Sequence, residues 1–193
     1  MNITKGTTGN VFPFWGTSYN SMRFQTLYYK SEINKTGVVD KIYFQKYNSA
    51  SGTFNNFRIY LCHSNKTNLD ATFDSNCKDT AIKVMDVPSI TVSGAANSWM
   101  EFNVDNTFNY NNVDNLVVEI RWNGDNGINV GLQVGTDVNN RRLRATSDTA
   151  TIGTADKYGY NFKAFICGVA PTTTTTTTTV PTTTTTTIPP TTT

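Results

Sequence analysis

Charge is scarce in this chain. Asp, Glu, Lys and Arg make up 16% of its 193 residues and leave a balance of only +2, where an average soluble protein is roughly a quarter charged. So small a surplus excludes long-range attraction to nucleic acid or an anionic membrane as the basis of function. Arg141-Arg142-Leu143-Arg144 is the sole basic cluster, and it reads as a solvated strand or loop face rather than an anion site. Histidine is nearly absent. His63 stands alone and reads as an exposed loop residue, so no nucleophilic triad can be assembled around it, and no GxSxG elbow occurs. No CxxC spacing offers a zinc site, and no Gly-rich phosphate loop runs into a helix. No apolar run is long enough to span a membrane, and no segment sustains a helical period. Met1–Gly6 lacks the apolar core of a signal peptide, which suggests that the numbering begins after a removed signal or at an engineered Met. The chain reads as a fragment of a longer protein.

Carboxylates are few enough to take individually. Glu101 and Glu119 point outward from strands and would be neighbours if those strands pair, the minimum for glycosidase chemistry. Lys41, Arg58 and Arg121 share outward positions, and surface ion pairing accounts for all five residues. Asp105, Asp114, Asp125, Asp137, Asp148 and Asp156 fall in expected loops, where oxygen ligands suit calcium. None forms a DxDxDG string, and turn formation explains them. The expectation is therefore no enzyme, no metal and no cofactor, with calcium the one cation worth naming.

What the chain does have is a period of two. Leu116, Val118, Ile120 and Trp122 alternate with Val117, Glu119 and Arg121, and the same pattern marks Val38–Gln45, Phe57–Leu61, Met100–Val104, Ile128–Val134 and Phe162–Ile166. Such segments are half-buried antiparallel strands, one face inward and one wet. Weaker strands are expected at Val11–Trp15, Met22–Tyr29, Ile82–Val87 and Arg142–Thr146, with Pro13 demoting the first to an edge or bulge. Ser31–Asn34 suits one short helical turn. Asn34–Gly37, Ser49–Gly52 and Asn123–Gly127 mark turns, the last as the loop of a hairpin. The expected fold is all-β: a two-sheet antiparallel β-sandwich of jelly-roll type, with a closed barrel as the alternative. Residues 1–10 form an extended lead, 11–168 the sandwich, and 169–193 a tail.

Three cysteines are present. Cys62 and Cys77 bracket a polar stretch without strong secondary-structure signals, and a disulfide closing it would contribute about 3 kcal/mol; the alternative is two reduced, separately buried thiols. Cys167 is left over, as a buried apolar side chain or an intermolecular link. Asn2, Asn34 and Asn65 each begin an Asn-x-Thr triplet, a glycan acceptor where the machinery exists.

The stretch Phe24–Ile33, then Gly37 and Ile42-Tyr43-Phe44, resembles a β-sandwich module that recurs in secreted bacterial multidomain proteins. Phe57–His63 and Phe108-Asn109-Tyr110 followed by Asn115–Glu119 add to the likeness, which spans roughly residues 10–166. The resemblance implies an extracellular, non-catalytic accessory module, of the kind that sits beside enzymes, adhesins or surface-layer parts. It transfers no functional residue. Glu32, where those modules often carry Glu, reads as a structural group bonding backbone amides at a strand end.

Aromatics form 12% of the chain. Trp15, Tyr19, Tyr28, Trp99, Tyr110 and Tyr158 fall at strand ends, loops or outward positions, where amphipathic rings stack on sugars or close the ends of a sandwich. Trp15, Tyr19, Trp99 and Tyr158 are the candidate ligand-binding side chains. The tail, Pro171–Thr193, is threonine and proline broken by Val180 and Ile188. It has too little apolar surface to fold and would reach roughly 70 Å if extended. Thr172, Thr175, Thr179, Thr182 and Thr187 are candidate O-glycosylation sites on a stalk of this composition.

Two functions fit. One is an extracellular or cell-surface binding or adhesion module, carbohydrate-directed, with a glycan or surface protein as partner. The other is a structural subunit of a surface layer or filament, whose partners are copies of itself, joined by sandwich contacts or by strand addition through Met1–Asn10.

Overall fold

Alternating side chains project to opposite faces of an extended chain, and the protein folds accordingly into antiparallel sheets. The computed structural model describes residues 1–168; the tail and its candidate acceptors Thr172, Thr175, Thr179, Thr182 and Thr187 lie outside the described residues. Thirteen strands follow in order: β1 (Asn2–Ile3), β2 (Thr8–Asn10), β3 (Ser21–Tyr28), β4 (Gly37–Gln45), β5 (Gly52–Ser64), β6 (Ile82–Val92), β7 (Trp99–Tyr110), β8 (Asn115–Asn123), β9 (Leu132–Thr136), β10 (Arg142–Ala145), β11 (Thr154–Asp156), β12 (Tyr158–Tyr160) and β13 (Phe162–Cys167). One turn of helix, α1 (Lys30–Ile33), joins β3 to β4, where the sequence places it.

The sheets run β1-β13-β4-β7, β11-β10-β3-β8-β5-β6 and β12-β9-β2. Leu116, Val118, Ile120 and Trp122 of β8 face a shared apolar core with Ile42 and Phe44 of β4 and Phe162 and Ile166 of β13. This is a sandwich-like arrangement. Its centre is aromatic: Phe14 lies 5.0 Å from Phe54 and is stacked with Phe57 and Phe102. Each such ring, wholly buried, contributes roughly 2–3 kcal/mol.

The other face of β3 and β8 departs from the expected wet surface. Leu27, Val117 and Cys62 stand in register across β3, β8 and β5 and form a second apolar cluster with Leu69, Phe73 and Leu143. The Cys62–Cys77 disulfide, with Cα atoms 5.6 Å apart, ties the intervening segment over this face. The unpatterned stretch between the cysteines is thus a roof. Its Asn76 amide, wholly buried, donates to Gln25 Oε1 at 3.0 Å.

Three sequence expectations change. Asn123–Gly127 does not close a hairpin, because β8 lies between β3 and β5 while β9 pairs with β2 and β12. Val11–Trp15 is a loop, joined to Asn129 only by an isolated bridge at Trp15; Pro13, without an N–H, cannot complete a ladder. The lead segment is not free either, since β1 and β2 pair with β13 and β9 of the same chain. At the opposite edge, β6 is long and mostly exposed. Pro88 and the Lys83–Asp86 ion pair blunt it against edge-to-edge pairing. Among the described residues no helix is long and apolar enough to cross a membrane.

Candidate functional site

The loop from Val11 to Asn20 builds the site. Phe12 and Phe14 turn inward, and the Trp122 indole N–H donates to the Pro13 carbonyl at 2.8 Å, so the loop is pinned to the core between them. Trp15 is left half-buried at the surface. Its ring stands edge-on to Phe12 at 5.0 Å and to Tyr19 at 5.2 Å. Gly16 allows this path: a Cβ there would lie 2.7 Å from the Ile128 carbonyl oxygen and from Asp125 Oδ1.

Beside this loop lies a groove of about 360 Å³, walled by Phe12, Trp15 and Tyr47 and floored by Gly9, Asn10 and Asn48. Tyr47 is 50% exposed. Its ring lies against the Gly9 backbone, so closely that a Cβ on Gly9 would fall 2.2 Å from Tyr47 Cδ1; only glycine fits there. Asn48 Oδ1 accepts from the Gly131 amide at 3.1 Å, and among the described residues its NH₂ group has no protein acceptor. Asn10 Oδ1 accepts from the Phe12 amide at 2.9 Å and from Arg142 Nη1 at 2.8 Å. Two ring faces with polar amides between them suit a ligand that is flat and apolar on one side and hydroxylated at its rim.

The aromatic surface continues beyond the groove. Arg142 stacks between Phe12, at 5.0 Å, and Tyr158, at 4.6 Å, while Arg144 lies 4.4 Å from the Phe12 ring. Asp156 accepts from Arg142 Nε and Nη2, and Arg142 Nη1 reaches the Tyr160 hydroxyl at 2.9 Å. Burial pushes the Tyr160 phenol well above its ordinary range, so it stays neutral as Arg142's partner. The basic cluster is therefore no solvated face: Arg141 and Arg142 are buried. Arg141 lies 3.6 Å over the Tyr29 ring and is ion-paired to Glu32. Glu32 also accepts from the Tyr29 amide at 2.9 Å and pairs with Lys5, the structural role expected of it.

Of the candidate side chains, Trp15, Tyr19 and Tyr158 join one surface through Phe12 and Arg142. Trp99 does not; it lines a separate cleft of about 220 Å³ beside Ile90 and Val92. Tyr28 and Tyr110 are core residues, buried to 0% and 1% exposure, with Tyr28 stacked 4.2 Å from Phe162. Tyr47 and Phe12 escaped the sequence reading. The outward alternation Tyr43, Gln45, Tyr47 along β4 and past its end was the available signal for Tyr47.

Larger clefts, of about 630 and 520 Å³, lie on the outer face of the six-stranded sheet, but their charges are already spent on each other. Glu119 Oε2 accepts from Arg23 Nε and Nη2 and from Gln25 Nε2, at 3.2, 3.1 and 2.6 Å, and Oε1 pairs with Arg121. Arg58 is bound to Asp148 at 2.5 Å. Glu101 lies on the other sheet, paired with Lys41 at 2.6 Å, so the two glutamates are not neighbours. His63 is on β5 rather than in a loop. Its Nδ1 lies 2.7 Å from Asp79, and its Nε2 accepts from the Asn111 amide at 3.3 Å. Of the aspartates expected in loops, Asp105 lies in β7 and Asp156 ends β11, while Asp114, Asp137, Asp148 and Asp156 are each ion-paired. Among the described residues no group of three or more His, Cys, Asp or Glu side chains gathers as a metal site. Compared with known proteins, the chain matches no family model and no curated protein in sequence.

Proposed function

We propose that this chain is a non-catalytic extracellular binding module that takes carbohydrate in the groove between Trp15 and Tyr47. The observation that carries the reading is that half-buried Trp15 and half-exposed Tyr47 line one groove together with the Asn10 and Asn48 amides, apolar rings beside polar groups. The disulfide supports an oxidising compartment, and the Thr/Pro tail is read as the stalk that displays the module. The non-catalytic reading draws support from the engagement of both His63 nitrogens and from the saturated Glu119. We read the layering as a jelly roll. With β1, β3–β8 and β13 counted one to eight, the two main sheets run one-eight-three-six and two-seven-four-five, the order of two interlocked Greek keys.

Glycan arrays and polysaccharide pull-down test the site. Trp15→Ala and Tyr47→Ala are each expected to weaken binding roughly tenfold, the order of one lost aromatic contact, and Trp99→Ala to leave it unchanged. Both groove variants binding as the wild type does would overturn the assignment.

A second reading, the self-assembling subunit, is favoured by one observation. Phe165 is 54% exposed and Cys167 is exposed and unbonded, on the part of β13 that lies past its pairing with β1. Sedimentation velocity at high concentration, with and without reductant, separates this reading from the first. A monomer under both conditions removes it.

A further inference from the structure

Among the described residues, Arg144 is the one arginine that makes no hydrogen bond to the protein. The other five donate to carboxylates: Arg23 and Arg121 to Glu119, Arg58 to Asp148, Arg141 to Glu32 and Arg142 to Asp156. Arg144 Nε is buried without a partner, and its nearest carboxylate oxygen, Asp156 Oδ2, is 3.8 Å away, beyond hydrogen-bond range. That carboxylate already takes two bonds from Arg142. Two guanidiniums thus share one carboxylate, and one positive charge is left over.

The position of this charge matters. The Arg144 guanidinium lies over the ring of Phe12, and Phe12 is also a wall of the groove and the neighbour of Trp15. The side chain is 28% exposed, so it is held flat on an aromatic face while part of it meets solvent. A stacked guanidinium has lost rotamer freedom in advance, and its planar fork matches a carboxylate in two parallel bonds.

We infer that Arg144 gives the groove a preference for acidic sugars, with a uronic-acid carboxylate received by its guanidinium while a ring stacks on Trp15 or Tyr47. The inference rests on the carbohydrate reading above and adds the chemical class of the ligand. It also explains why Arg142 and Arg144 differ: Arg142, saturated by Asp156, Asn10 and Tyr160, fixes the platform that Arg144 completes.

The test uses uronic-acid polysaccharides (polygalacturonate, alginate and hyaluronan), each beside its carboxyl-reduced, neutral counterpart, in affinity electrophoresis and calorimetry with the full chain. At least one acid is expected to bind about tenfold or more tightly than its reduced form, the order of one charge-assisted hydrogen-bond pair. Arg144→Gln should erase that difference while binding to the neutral polymer stays the same. Arg144→Lys, keeping the charge without the fork, should retain part of it. The melting temperature of Arg144→Gln should fall only modestly, since what the protein loses is the stacking on Phe12 and the long-range pairing with Asp156 and no hydrogen bond. If no acid outbinds its reduced form, or if Arg144→Gln keeps the full preference, the inference falls. Neutral glycans lost on Trp15→Ala but bound without acid preference would leave the groove assignment standing and this one refuted. No change on Trp15→Ala with any polymer would overturn both.

Discussion

The outer face of the six-stranded sheet and the aromatic end of the molecule both hold arginines against aromatic rings, yet they are built to opposite rules. On the sheet, Arg23 lies 4.5 Å from the Phe73 ring and Arg121 4.7 Å from that of Tyr60, and every guanidinium there is matched to a carboxylate. Arg23 additionally donates to the Ala150 carbonyl at 2.8 Å and to Asp74 at 2.6 Å. Around Phe12 the count of donors exceeds that of acceptors. The sheet face has the larger clefts and the aromatic end the smaller groove. What separates the two regions is whether polar groups are already satisfied.

The sharpest way to break the comparison is to unbalance the satisfied side. Glu119→Ala removes the carboxylate shared by Arg23, Gln25 and Arg121 and leaves Arg23 buried with only the exposed Asp74 for charge. A loss of about 3–5 kcal/mol is expected, read by urea or guanidinium denaturation. A loss under about 1 kcal/mol would mean that the network is not structural.

Next in size is the roof over the same face. The Cys62→Ala/Cys77→Ala double variant should cost about 2–4 kcal/mol and raise hydrogen exchange first in residues 65–81, while binding at the groove, on the other side of the sheet, persists. Loss of glycan binding together with the disulfide would join two regions that the comparison treats as separate.

The smallest of the three concerns pH. Burial raises the Asp137 carboxyl, but the Asn139 and Val138 amides, Arg141 and Lys5 together bring it below its ordinary value. A carboxylate depressed in the folded state stabilises the protein above its unfolded pKa of about 3.9, and that stability is lost as pH falls through the folded value. Stability should therefore decline below about pH 4, and Asp137→Asn should flatten that decline. A titration in which the variant and wild type lose stability in parallel would assign the acid sensitivity elsewhere.

Much of the architecture was legible in the residues. The inward sets of β5, β7, β8 and β13 are those that alternation marks, because period two fixes which face a side chain occupies whatever the partner strand; in β4 Ile42 and Phe44 follow it, but a register shift between Val39 and Lys41 buries Val39 where alternation marks Val38. Ile128–Val134 shows where that logic stops. Its Val130, Leu132 and Val134 are buried as the pattern requires, but β9 joins β2 and β12 rather than β8, since alternation carries no information about the neighbour. Val117, Glu119 and Arg121 were placed on the correct outer face, but nothing in their spacing announces that a disulfide-bound segment covers it. For the site, Trp15, Tyr19 and Tyr158 were legible as outward rings. Their convergence was not, because it is made by Phe12 and Arg142, which come from distant parts of the chain and meet only through the fold.

The sequence by itself determined the all-β class, most strand faces and the scarcity of charge that makes each ion pair count, and it named the Cys62–Cys77 disulfide as one of two alternatives. Those follow from local stereochemistry and composition. Tertiary structure alone decided the strand order, the roof over β3 and β8, and the separate fates of Arg141, Arg142 and Arg144. The fate of each arginine depends on which carboxylate lies within about 3 Å, a relation between residues far apart in the chain that no local pattern encodes.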